Sequence, residues 1–225
     1  MQSSAQSIPL QQLSRPSPSR AGSRQAGLDG EEPRQGDVME AVEAVAKSLN
    51  NTNIKWAIVG GAGLMALGSP RLTGDVDSVV YPPVELKAAK DELRKDPRFS
   101  IDQRTRHTAF KSSSGRAVEI EALSSPGTFK GRFDDTTQLM TVPGGVHLLN
   151  ASIYLESKRG SLPGRPNDRK RNSDATDIRY ILNFMICSKI STNSSEVPSA
   201  TPAFIAGLER MYPGTGELFH RVGFA

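Results

Sequence analysis

The chain has 225 residues, 36% of them hydrophobic, a net charge of +4 and one cysteine. That length suits one ordinary domain with a tail, and the low apolar share implies that part of the chain stays unpacked. A lone cysteine excludes an intrachain disulfide framework and points to a reducing compartment, and no apolar run approaches the ~18 residues needed to span a bilayer.

Residues 1–36 are rich in Ser, Gln, Pro, Arg and Gly and carry almost no apolar periodicity, so they read as a disordered tail. The start, MQSSAQSIPLQQL, lacks the apolar core of a signal peptide. A cytoplasmic location is expected. A mitochondrial address is the alternative, since Arg and Ser open the chain, although Asp29, Glu31 and Glu32 soon follow.

Asp37 to Asn50 reads as an amphipathic helix with Asp37 as N-cap and Val38, Ala41, Val42, Val45 and Leu49 on one face. Ile54 to Val59 is a short apolar strand that ends at Gly60-Gly61. Ala62 to Leu67 then gives one or two helical turns that stop at Gly68. In the strand Asp75 to Val80, alternation aims Asp75 and Asp77 to one face and Val76 to the other. Two carboxylates side by side repel, and a site that keeps them usually holds a cation. Tyr81-Pro82-Pro83 breaks the strand, and Val84 to Lys95 forms a surface helix. Short strands follow at Phe99–Asp102 and Thr108–Lys111, with His107 at the entry to the second. Ala117 to Leu123 alternates cleanly and presents Glu119 and Glu121 on one face.

Leu139 to Val146 is predicted as a strand interrupted at Pro143, and Leu148 to Lys158 as a helix. The segment Lys158 to Arg171 holds six basic side chains against Asp168, a net +5, so the rest of the chain sums to −1. The protein is therefore not a generally basic nucleic-acid coat; its positive charge sits in one segment, with a Gly/Pro-rich loop from Arg159 to Arg171. A helix over Asp174 to Ser188 follows, with Ile178, Ile181, Leu182 and Met185 as its apolar stripe and Cys187 packed as a small hydrophobe. Lys189 to Thr201 is a loop, Ala203 to Tyr212 a closing helix, and Glu217 to Phe224 a further short one.

The run from Gly60-Gly61-Ala62 through Arg71-x-Thr73-x-Asp75-Val76-Asp77 resembles the signature of the nucleotidyltransferase superfamily, the polymerase-β-like fold. The form of the motif, and the later pattern of Lys158, a basic linker with Arg169 and Lys170, then Asp174-x-x-Asp177, are most similar to the AbiEii-type toxins and related uncharacterised fungal proteins. The resemblance spans roughly Ile54 to Leu182. It implies an α/β (α+β) fold: a mixed sheet flanked by helices, with a helical C-terminal part. The domain would run over 37–188, its catalytic sheet to about 147 and a helical part over 148–188, followed by a loop and short helices over 189–225.

The implied function is metal-dependent transfer of a nucleoside monophosphate from an NTP, such as ATP or GTP, to a hydroxyl on RNA, a protein or a small molecule. Asp75, Asp77 and Glu121 are the implied catalytic carboxylates and the ligands of Mg²⁺ or Mn²⁺, with Glu119 as the alternative third acid. Glu here, where the family often has Asp, sets the carboxylate a bond farther out. Gly60 and Gly61 would let the phosphates approach the backbone. Ser69, Arg71, Thr73, Lys158, Arg169, Lys170, Asp174 and Asp177 complete the expected nucleotide-binding set, the cations serving the leaving pyrophosphate. The alternative is a catalytically inactive nucleotide- or RNA-binding module of the same fold.

Overall fold

A computed structural model of the chain describes residues 31–102, 104, 107–129, 131–162 and 167–224. The expected disordered tail lies outside the described residues as far as Gly30. The first element, α1 (Gln35–Leu49), starts two residues before the expected N-cap. Asp37 is the third helical residue instead. Its Oδ2 accepts the Arg34 backbone N–H at 2.8 Å and its Oδ1 accepts the Ser114 hydroxyl at 2.6 Å. A carboxylate at that position reaches back over the first turn, so the acid still caps the helix, from inside it.

The chain continues as β1 (Lys55–Val59), α2 (Gly60–Ala66) and β2 (Asp75–Tyr81). A 3-10 turn at Pro83–Glu85 leads into α3 (Leu86–Leu93), then β3 (Phe99–Ile101), β4 (Thr108–Lys111) and β5 (Ala117–Ser124). The strands form one mixed seven-stranded sheet in the order β3-β4-β5-β2-β1-β7-β6, where β6 is Leu139–Val142 and β7 is Val146–Leu149. β1 is antiparallel to β2 and parallel to β7, and β2 is parallel to β5. This is the expected fold class: a mixed sheet with flanking helices and a helical C-terminal part.

Val118 and Ile120 are the buried residues of β5, and α1 and α3 pack on β5. The helices thus cover the face onto which these two point, and Glu119 and Glu121, exposed, occupy the other face. Trp56, Ile58, Val76, Val79 and Leu148 complete the buried centre of the sheet. Burial of such side chains stabilises the fold by about 1.5–3 kcal/mol each.

Three expectations need correcting. The segment read as the start of a helix at Leu148 is β7, because Val146-His147-Leu148-Leu149 pairs with β6 across a 3-10 turn at Pro143–Gly145 and lies against β1. The helix begins after it, as α4 (Ala151–Ser161), with the Asn150 side chain accepting the Ile153 N–H. The next helix, α5 (Asp168–Cys187), starts six residues before Asp174, capped by the Asn167 side chain on Lys170 N–H. Arg169 and Lys170 therefore lie in its first turn. Cys187 is exposed at the end of α5, not packed in the core. Two short helices, α6 (Pro202–Met211) and α7 (Thr215–Arg221), close the chain.

The Asp37 cap makes a testable link between acid and stability. The Ser114 hydroxyl, the Arg34 N–H and then Ser112 hold its carboxyl at about 2, below the usual carboxylate value. A depressed carboxyl contributes stability that is present above its unfolded pKa and is lost as pH falls through the folded one. Asp37→Ala should lower the melting temperature near neutral pH, and the gap to wild type should narrow as pH falls from 4 to 2. A gap that stays constant over that range in thermal melts contradicts the assignment.

Candidate active site

The site is built where β1 hands over to α2. Gly60 holds φ +64, a conformation that side chains rarely adopt, and a Cβ placed there would stand 2.2 Å from Asp77 Oδ2. The Asp77 carboxylate thus lies directly over the Gly60 Cα. At Gly61 a Cβ would stand 2.4 Å from Arg71 Nη1 and 2.9 Å from Thr73 Cβ. The glycine pair is a bare shelf on which three predicted site residues rest.

The ladder between β2 and β5 decides how the acids meet. Asp75 pairs with Glu119 and Asp77 pairs with Glu121. In-register parallel neighbours share a face, so four carboxylates form two rows about 4.8 Å apart. Glu121 is level with Asp77, and Glu119 is level with Asp75. Thr73 Oγ1 donates to Asp75 Oδ1 at 2.5 Å, and the His107 ring Nδ1 lies 3.0 Å from Glu119 Oε1. Glu119 is thereby engaged by an imidazole at the sheet surface. Among the described residues, no three His, Cys, Asp or Glu side chains converge tightly enough to hold an ion by themselves.

Ser69 is 3% exposed and its hydroxyl accepts the Arg71 backbone N–H at 3.3 Å. It shapes the turn that carries Arg71. The Arg71 Nε donates to Ser173 Oγ at 2.7 Å and lies 3.4 Å from Asp177 Oδ1. Its Nη1 is buried and has no hydrogen-bond partner among the described residues. Asp177 is fully buried and meets a second cation, the Lys158 Nζ, at 2.7 Å from Oδ2; Asp174 Oδ1 stands 3.7 Å from the same ammonium. Lys158 on α4 and the two aspartates on α5 therefore bind the two helices together. Arg169 and Lys170 are exposed on the first turn of α5, apart from that buried group. Residues 163–166 of the expected basic loop lie outside the described residues.

Three residues of this region carry no signal in the sequence. Ser173 stands just before the expected helix start at Asp174. Tyr154, fully buried, donates its hydroxyl to the Ile58 carbonyl at 3.1 Å and fills the space over Gly63, whose Cβ would come 1.7 Å from that oxygen. Burial first, and then the charges of Asp77 and Asp177, push the Tyr154 hydroxyl well above the ordinary tyrosine value, so it stays a neutral donor to the Ile58 carbonyl. Tyr180 on α5 donates to the Leu67 carbonyl at 2.6 Å and fixes α5 to the end of α2. A separate cavity of about 500 Å³ lies between the start of α5 and α6, lined by residues such as Leu162, Arg171, Phe204 and Leu208. None of the predicted site residues lines it.

No family model matches the sequence, and no curated protein matches it. Eight chains among solved structures do. One is an antigenic nucleotidyltransferase-like protein from Paracoccidioides brasiliensis, at 22% identity over 83% of this chain and 93% of that one, with a TM-score of 0.62. Another is the antibiotic-resistance factor ANT(2'')-Ia, at 11% identity over 82% and 97%, with a TM-score of 0.45. A third is terminal uridylyl transferase 4 from Trypanosoma brucei with bound GTP, at 13% identity over 85% and 64%, with a TM-score of 0.32. The first match carries the assignment: this chain has the nucleotidyltransferase fold.

Proposed function

We propose that this protein transfers a nucleoside monophosphate from an NTP to a hydroxyl acceptor, with Mg²⁺ or Mn²⁺ as cofactor. The observation that carries the reading is the register of β2 on β5, which sets Asp77 beside Glu121 and over the bare Gly60 backbone. A magnesium ion is normally held by one or two carboxylates, with water and substrate phosphates supplying its other ligands. Asp75 and Asp77 fit that donor set; a closed protein cage is not required. Glu121 is the third acid in this reading, because Glu119 is engaged by His107 and Glu121 stands level with Asp77.

When bound, the metal would neutralise charge on the triphosphate and its leaving group. The chain's own groups do the rest. Gly60 and Gly61 leave room for the phosphates to approach the backbone. Thr73 orients Asp75. Arg71 and Lys158 supply positive charge near the phosphates, and Arg169 and Lys170 add more from the exposed turn of α5. Glu121 accepts the proton of the attacking hydroxyl, which frees its oxygen to bond to the α-phosphorus as pyrophosphate departs.

The alternative, a non-catalytic nucleotide- or RNA-binding module of the same fold, would keep the cleft and bind without transfer. Calorimetric titration of ATP and GTP separates the terms. Asp77→Asn should abolish metal-dependent binding, while its melting temperature stays equal or rises because two repelling carboxylates become one. Undiminished metal-dependent binding by that variant rules out Asp77 as a ligand. Gly60→Ala should act through the same atom: it strains a positive φ and drives a methyl into Asp77 Oδ2, so metal-dependent binding should fall at least tenfold and stability by about 1–3 kcal/mol. Wild-type nucleotide affinity in Gly60→Ala would show that the carboxylate need not rest on the glycine.

Lys158 needs a different control. Removing one partner of a buried ion pair costs about 3–5 kcal/mol. Lys158→Ala should therefore melt far below wild type with or without nucleotide, and an unchanged melting temperature would argue that Asp174 and Asp177 do not depend on it.

A further inference from the structure

The geometry points to Ser173 and Asp177 as positioning residues that aim Arg71 at a phosphate oxygen, so that Asp177 touches no nucleotide itself. This rests on the nucleotidyl-transfer reading of the site and names how its anion is gripped.

Arg71 has two ends in different circumstances. Its Nε is spent on α5, donating to Ser173 Oγ at 2.7 Å beside Asp177 Oδ1 at 3.4 Å. Its Nη1, over the Gly61 Cα, is buried without a hydrogen-bond partner among the described residues. A buried guanidinium donor left unpaired is costly, and native structures rarely keep one without a purpose. The side chain as a whole keeps 26% of its surface open, while the Nε edge is fixed on α5 and Nη1 is buried with its donor capacity unspent. An anchored, planar fork with an unpaired donor is the geometry that recognises phosphate oxygens once a ligand enters.

Asp177 has the opposite character. It is fully buried, and its two oxygens face cations on both sides, Arg71 Nε and Lys158 Nζ. A carboxylate so placed would repel a phosphate and has no open side to offer one. Its charge instead holds the two cations at a fixed separation. Ser173 adds direction, since its hydroxyl leaves one orientation of the guanidinium favoured. The Tyr180 bond to the Leu67 carbonyl fixes α5 against α2, and so fixes the anchor relative to the glycine shelf.

The test uses the full chain, MgCl₂, and three probes: sodium tripolyphosphate, ATP and adenosine. Ser173→Ala removes only the anchor hydroxyl and should melt within a few degrees of wild type. It should bind tripolyphosphate and ATP about three- to tenfold more weakly, with adenosine unchanged, and Ser173→Thr should restore the affinity. Arg71→Ala should cost about ten- to a hundredfold on the same two probes. Adding Ser173→Ala to Arg71→Ala should cost nothing more, because the anchor then has nothing to aim. Wild-type affinity in Ser173→Ala, an equal loss on adenosine, or a full Ser173 effect without Arg71 would each overturn the proposal. If tripolyphosphate binds with this dependence and ATP does not bind, the anion grip stands and the nucleotide reading falls. If neither binds wild type, both fall.

Discussion

The parallel register of β2 on β5 is the constraint on which the rest depends. A slip of one residue would turn Glu119 and Glu121 into the core and bring Val118 and Ile120 to the surface. Burial of those two apolar residues under α1 and α3 opposes the slip, so hydrophobic packing on one face fixes the carboxylates on the other. The acids do not stabilise this arrangement; they repel, and the apolar face holds them in place. Gly60 adds the second condition, since only a residue without a Cβ lets Asp77 lie over the backbone at the start of α2.

The helical part contributes charge in a similarly indirect way. Lys158, Arg71, Asp174 and Asp177 form a largely buried group with two charges of each sign. Such groups are retained less for stability than for fixing one geometry, because well-packed apolar residues would often be as stable. Here the geometry fixed is that of α4 and α5 against the glycine turn. The C-terminal elements support it from outside: Ser199 N–H and hydroxyl both bind Glu156 on α4.

Local patterns made much of this legible in the sequence. The apolar run of β1, the Gly-Gly turn, and the alternation in β2 and β5 each lie within a few residues and report directly on backbone periodicity. Their order carried the fold class, and alternation placed Asp75 with Asp77 and Glu119 with Glu121 on common faces. In the sequence, the preference for Glu121 over Glu119 rests on the family resemblance alone, because the residue level with Asp77 is set by pairing across 44 positions of chain. β7 has a different cause: Leu148-Leu149 fits a helix as well as a strand, and its pairing with β6 and β1 decides. The first turns of α5 are charged and aperiodic, so its true start at the Asn167 cap left no apolar signal. Ser173 is 102 positions from Arg71, and nothing local marks it as a partner.

Chemistry at the carboxylates, rather than binding alone, is the central claim. Pyrophosphate release is its most direct measure: wild-type protein with each of the four NTPs, Mg²⁺ or Mn²⁺, and separate pools of RNA, protein and small-molecule hydroxyl acceptors. Asp75→Asn and Glu121→Gln serve as paired controls. The account predicts metal-dependent release with at least one nucleotide and one acceptor pool, lost in both variants. Nucleotide that binds with metal but releases no pyrophosphate in any pool, or release that survives in both variants, would contradict it.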